Sequence, residues 1–199
     1  MSRICEINPS SAFAYFFFDG RDGQKESQTV GSLIRSLIRQ FSAAYGGIPT
    51  VLTKLYHSCH DGGSPPSVHS LNATLLLILD AFDDVFIILD ALDECAKRND
   101  VLKWIKDMTS WRKGRLHLLA TSRPEEDIAN RLRLLSPVDV YIEQDLITCD
   151  VKRYIDCILD DDVAFDRWND QIKANIKSKL QDSAGGMYVH YLTYQRVTI

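Results

Sequence analysis

The sequence predicts an α/β fold, with a parallel sheet laid down first and a helical portion after it. Three observations carry that expectation. Val85-Phe86-Ile87-Ile88-Leu89 and Leu116-His117-Leu118-Leu119-Ala120 are short, mostly apolar runs of strand length that read as buried strands. Apolar residues at helical spacing lie between such runs, and alternating strands and helices make parallel sheets. From Thr148 onward the spacing is helical throughout.

Each element follows from local pattern. Ala12 to Phe18 is an aromatic-rich run closed by Asp19-Gly20, which reads as the first strand; Asp19-Gly20-Arg21-Asp22-Gly23 is a polar loop. Leu33, Ile34, Leu37, Ile38 and Phe41 recur on one helical face, starting near Ser27 to Thr29 and stopped by Gly46-Gly47. Pro49 to about His57 reads as a short helix, broken by Asp61-Gly62-Gly63-Ser64-Pro65-Pro66. Leu71, Leu75, Ile78, Leu79 and Phe82 mark the next helix, with Asp83-Asp84 at its end. After the second strand, Leu102, Ile105 and Met108 mark another helix, and the third strand follows. Pro124 suits a first helical position, and Glu125, Glu126 and Asp127 suit the positive end of a helix dipole. Val138 to Ile142 reads as a fourth strand. Val151, Tyr154, Ile155 and Ile158, then Trp168, Ile172, Ile176 and Leu180, mark two later helices; Gly185-Gly186 ends the second, and Met187 to about Gln195 starts another. The expected division is an α/β core over 1–146 and the start of a helical subdomain over 147–199.

Bulk properties exclude several classes of function. The 199 residues, 45% hydrophobic and 25% charged, suit a globular unit with a sizeable core. A net charge of -4 and a pI near 5.7 leave no electrostatic footprint for nucleic acid or an anionic membrane. No apolar run approaches the roughly 20 residues of a membrane-spanning helix. Met1 to Glu6 lacks the apolar stretch of a signal peptide. The five cysteines are odd in number and form no C-x-x-C pair, which fits reduced thiols and a cytoplasmic location.

The residues that can carry chemistry sit after the second and third strands. Asp90 stands at the carboxyl end of an uncharged strand, the edge where ligands bind in open α/β sheets. A carboxylate there suits Mg²⁺, a hard cation that keeps several waters. Asp93 and Glu94 lie one turn further on, where either can orient or deprotonate an attacking water. The plainer reading is a solvated acidic loop. Arg123, directly after the third strand, can meet a γ-phosphate or bridge to Asp93; the plainer reading is an ion pair with Asp90 or Asp93. His57, Cys59 and His60 form a compact H-x-C-H, but no second ligand pair accompanies it. Cys95 has no base or oxyanion motif beside it and reads as a structural thiol.

Taken together, four segments resemble a known family. They are Ala14-Tyr15-Phe16-Phe17-Phe18-Asp19, Ser32 to Gln40, Ile87-Ile88-Leu89-Asp90-Ala91-Leu92-Asp93-Glu94-Cys95 and Thr121-Ser122-Arg123-Pro124. They resemble the fungal NACHT domains, also known as nephrocystin-like N-terminal domains, of the STAND class of P-loop NTPases. Asp150-Val151 with Tyr154-Ile155, and Ala184-Gly185-Gly186-Met187-Tyr188, extend the likeness, which runs from about Phe13 to about Gln195. The resemblance implies Mg-ATP or Mg-GTP switching, with Asp90 at the metal, Asp93 and Glu94 at the water, and Arg123 as γ-phosphate sensor. It implies homo-oligomers or full-length NACHT relatives as partners. The G-x-x-x-x-G-K-[ST] loop that cradles phosphate is nowhere in the 199 residues, and in the family it comes just before the segment matching Ala14-Tyr15-Phe16-Phe17-Phe18, where Met1 to Ala12 hold no Gly-Lys-[Ser/Thr]. The sequence therefore implies a truncated module without nucleotide of its own, its carboxylates vestigial. The alternative is a working switch whose P-loop lies upstream or on a partner chain. Four strands are expected, with the place of the P-loop strand, between the third and the last, either closed up or left open.

Overall fold

A computed structural model describes residues 10–21, 28–111, 115–135, 138–141, 144–161, 165, 168–184 and 191–197. Asp22-Gly23, Ser27, Ile142 and the span from Gly185 to His190, all read above from pattern, lie outside those residues.

Strands β1 (Ser11–Phe17), β2 (Asp84–Asp90) and β3 (Arg115–Ser122) pair in parallel. The register sets Ala12 beside Val85 and Val85 beside Leu116, then Ala14 beside Ile87 and Ile87 beside Leu118. Side chains alternate along a strand, so this register gathers all six residues on one face, where they are buried. The opposite face carries Phe13, Tyr15, Phe17, Phe86, Ile88 and Leu119, which are partly or largely exposed.

The buried face meets helices. Helix α1 (Val30–Ala44) opens on Thr29, whose hydroxyl accepts from the Ser32 N–H at 3.2 Å. Its apolar stripe of Leu33, Ile34, Leu37, Ile38 and Phe41 is buried in the core shared with the sheet. After it, Gly46 takes a left-handed φ of 81°, which terminates the helix where the glycine pair is expected. Helix α2 (Thr50–Ser58) buries no residue fully; Val51, Leu52 and Leu55 lie against the core. Helix α3 (Val68–Leu79) is capped by Ser67 and packs on α1. Helix α4 (Arg98–Met108) buries Val101, Leu102, Trp104, Ile105 and Met108 in the same core. Two indole N–H groups are satisfied as burial requires: Trp104 donates to Asn72 at 2.9 Å and Trp111 to Asp80 at 3.2 Å.

Helix α5 (Glu126–Arg133) begins two residues after Pro124, not at it. The Glu125 N–H turns back onto the Arg123 carbonyl at 2.8 Å, so a tight turn separates the strand from the helix. Strand β4 is Val138–Tyr141. Helices α6 (Gln144–Asp161) and α7 (Asp170–Ala184) pack on each other, with Ile155 and Leu159 buried and a Lys177–Asp156 ion pair at 2.8 Å. Of the expected stripes, Tyr154 and Ile158 on α6 and Ile172 and Leu180 on α7 are exposed instead.

The largest departure is at the carboxyl-terminal side. Tyr191–Val197, expected as helix up to about Gln195, is strand β5. The sheet has five strands in the order β1-β2-β3-β5-β4, so β5 fills the place between the third and fourth strands. The chain divides into two compact units, Met1–Asp139 with Leu192–Ile199, and Val140–Tyr191. The architecture is α/β, a parallel sheet followed by helices. Among the described residues no helix is long and apolar enough to cross a membrane.

Candidate functional site

The ends of β2 and β3 lie side by side, because Leu89 pairs with Ala120 in parallel register. The residues one step beyond meet directly. The Thr121 hydroxyl donates to Asp90 Oδ1 and accepts from the Ala91 N–H at 3.0 Å. Ala91 itself takes a left-handed φ of 55°, uncommon for a residue with a Cβ. That turn sends the chain into a single 3₁₀ turn, Leu92–Glu94, with Leu92 buried as its anchor. Asp93 and Glu94 are therefore held at the same edge as Asp90.

Asp93 is committed to Arg123. Its Oδ1 accepts from the Arg123 N–H at 2.9 Å and its Oδ2 lies 3.5 Å from the Arg123 Nε. The Asp93 side chain is 8% exposed and that of Arg123 48%, so the carboxylate is enclosed while the guanidinium stays within reach of solvent. Glu94 Oε2 accepts from the Gly20 N–H in the loop after β1. A Cβ at Gly20 would sit 3.0 Å from that same oxygen, so a side chain there would push the carboxylate back by a few tenths of an ångström. The loop is fixed in turn: the buried Gln28 accepts from Asp19 N–H at 2.7 Å and donates to its carbonyl at 2.8 Å. The Arg21 guanidinium forks onto the Asp19 carboxylate. That hydrogen bond holds Asp19 below the usual carboxylate range and raises Arg21.

All four residues proposed from sequence thus converge on one edge, but in different states. Asp90 keeps one oxygen without a partner among the described residues, while Asp93 and Glu94 each bind a main-chain N–H. Sequence reasoning assigned no role to Thr121, Gly20 or Gln28. Their signal is spatial, since each acts through a partner at least nine positions away. Arg98 links α4 to the start of α5 through Glu125 at 3.5 Å and Asp127 at 3.4 Å. Cys95 is buried beside the site, and burial pushes its thiol up from its ordinary value, which suits a structural role. The H-x-C-H residues do not converge: His57 contacts Asp61, His60 contacts Ser64, and Cys59 is buried. Among the described residues no group of three or more His, Cys, Asp and Glu side chains is placed to hold a metal ion.

Residues 3–123, more than half of the 199, match the family described as nephrocystin 3, N-terminal. The chain belongs to that family. The matched span runs from before β1 to Arg123, so it contains all four site residues, and everything after Arg123 lies outside it. Among the curated proteins and among the solved structures, none matches this chain.

Proposed function

We propose that this chain is a NACHT-type signalling NTPase module that carries the carboxylate-and-sensor half of a nucleotide site. One observation carries the reading: Asp90 with Thr121, and Asp93 with Arg123, join at the carboxyl edge of two adjacent parallel strands. That edge is where open α/β sheets bind ligands. The family match is compatible with it.

The residues fit a magnesium nucleotide only in part. Asp90 offers one oxygen, and Mg²⁺ is commonly held by one or two carboxylates together with phosphate oxygens and water. Bound there, the ion would neutralise charge on the phosphates. Only the Arg123 Nε faces Asp93, at 3.5 Å, so the rest of the half-exposed guanidinium could meet a phosphate while the Arg123 main-chain N–H still holds Asp93. In this reading Asp93 and Glu94 would orient a water. The backbone nest, lysine and hydroxyl of a P-loop supply most phosphate contacts in such sites, and no such motif occurs in the 199 residues. The half-site therefore does not bind nucleotide tightly or turn it over alone.

Titration calorimetry with Mg-ATP and with Mg-GTP tests this. The expected result is no saturable heat. A dissociation constant in the low micromolar range or tighter for either nucleotide refutes it and favours a complete switch.

A further inference from the structure

A different surface carries an interaction of its own. Among the described residues strand β1 is the outer strand of the sheet, paired on one side only. The Phe18 N–H reaches the Asp90 carbonyl of β2 at 3.0 Å, so even-numbered residues turn their main-chain groups inward. Odd-numbered residues turn theirs outward, and Tyr15 shows what they meet. Its N–H donates to Gln40 Oε1 at 3.1 Å, and its carbonyl accepts from Gln40 Nε2 at 2.8 Å. One side-chain amide thus makes the two bonds that a residue of a neighbouring strand would make. Beside this contact runs an open groove of about 520 Å³, walled by Tyr15, Phe16 and Phe17 of β1 and by Ser36, Arg39 and Gln40 of α1. Tyr15 is 47% exposed and Phe17 60%, their rings packed edge to face at 5.6 Å. Arg39 is exposed and has no carboxylate partner among the described residues.

We propose that this edge is a docking groove for an extended segment of a partner protein, which adds beside β1 as a further strand and displaces the Gln40 amide. Side chains of an added strand alternate between the two faces of the sheet. On one face they would lie on the exposed rings of Tyr15 and Phe17, which favours apolar residues. On the other they would face the flank of α1 and the unpaired guanidinium of Arg39, which favours Asp or Glu. Main-chain pairing supplies affinity, and the alternation supplies specificity. A second copy of the chain fits poorly, because pairing two β1 edges brings the two Arg39 flanks together.

The test pans random seven-residue peptides, the length of β1, against the full chain, then titrates the labelled consensus peptide by fluorescence anisotropy. The expected consensus alternates apolar residues with Asp or Glu. Arg39→Glu should weaken its binding about tenfold, the size of one charge-assisted contact. Gln40→Ala should tighten binding, since nothing then has to be displaced. Methylating the peptide amides along one edge should abolish binding, and along the other should leave it intact. Unchanged urea midpoints for both variants confirm that they fold. Several results overturn the proposal: no enriched peptide, a consensus without carboxylates, weaker binding by Gln40→Ala, or equal effects of methylation on both edges. Sedimentation showing a dimer that the neutral Arg39→Gln strengthens would assign the edge to a second copy instead.

Discussion

Thr121 shows how much one hydroxyl can decide. It accepts from Ala91, the residue with left-handed backbone, and donates to Asp90, so it ties the end of β3 to the turn that presents the carboxylates. Valine has the same shape without the hydroxyl. Thr121→Val leaves a half-buried N–H without its partner, which costs about 1–3 kcal/mol. The expected outcome is a lower urea midpoint with an unchanged slope, and an unaltered midpoint would show that the hydroxyl contributes nothing. Cys95 makes a second prediction at this scale. Burial raises its thiol, so folding favours the neutral form. That contribution is complete below the ordinary value of 9.0 and is lost as pH rises from there through the higher folded value. Cys95 should also react with a thiol reagent at pH 8 more slowly than the exposed Cys149 and Cys157, as read by peptide mass mapping. Equal labelling rates would contradict the burial argument. Asp90 and Arg123 were legible in the sequence because each closes or follows an apolar strand, and Asp93 and Glu94 because they lie one turn beyond the first of these. Thr121 and Gly20 were not, because their roles exist only once the register sets strand ends and loops side by side.

The opposite end of β2 and β3 is held by a second polar cluster. Asp84 is the first residue of β2 and is buried. Its Oδ2 accepts from Arg115 at 2.6 Å, and its Oδ1 lies 3.0 Å from the His117 Nε2. The His117 ring stacks on Phe86, with centroids 4.4 Å apart and planes 10° from parallel. Register explains the cluster, since Asp84 pairs with Arg115 and Phe86 with His117. Read from sequence, Asp83-Asp84 was the polar end of a helix, because a lone carboxylate at a strand start is indistinguishable from loop charge until its cross-strand partners are known. Asparagine there keeps one acceptor oxygen where the carboxylate has two, and removes the charge that pairs with Arg115. Asp84→Asn should therefore cost about 1–2 kcal/mol, between an exposed and a buried ionic contact, because Arg115 is half exposed. Thermal unfolding measures it, and a loss well under 1 kcal/mol would mean that solvent already screens the cluster. The helices of the first unit were legible for the converse reason: Leu33 to Phe41 and Leu71 to Leu79 carry their own periodicity and caps, and need no distant partner to be recognised.

At the scale of the whole molecule the sheet completes itself in a way that local pattern did not show. Four strands were expected, with one place in the sheet closed up or open, and β5 fills it. Tyr191-Leu192-Thr193-Tyr194-Gln195-Arg196-Val197 has aromatic and β-branched residues, yet its spacing does not separate strand from helix. What decides is outside the segment: an internal edge between β3 and β4 whose main-chain groups need partners. A strand left unpaired on a sheet is a template for another chain, and the lost hydrogen bonds fall on backbone that cannot be satisfied locally. A chain shortened to residues 1–190 removes β5 whole and leaves α7 (Asp170–Ala184) in place. It should recover the missing pairing from a neighbour, giving dimers and larger species in light scattering after gel filtration, at concentrations where the 199-residue chain is not associated through that edge. Supplying the excised strand as a synthetic peptide should reverse the association, since the peptide fills the same place without bringing a second sheet with it. A shortened chain that stays monomeric, with the stability of the full one, would show that the β5 strand contributes nothing to the sheet and that β3 and β4 meet without it.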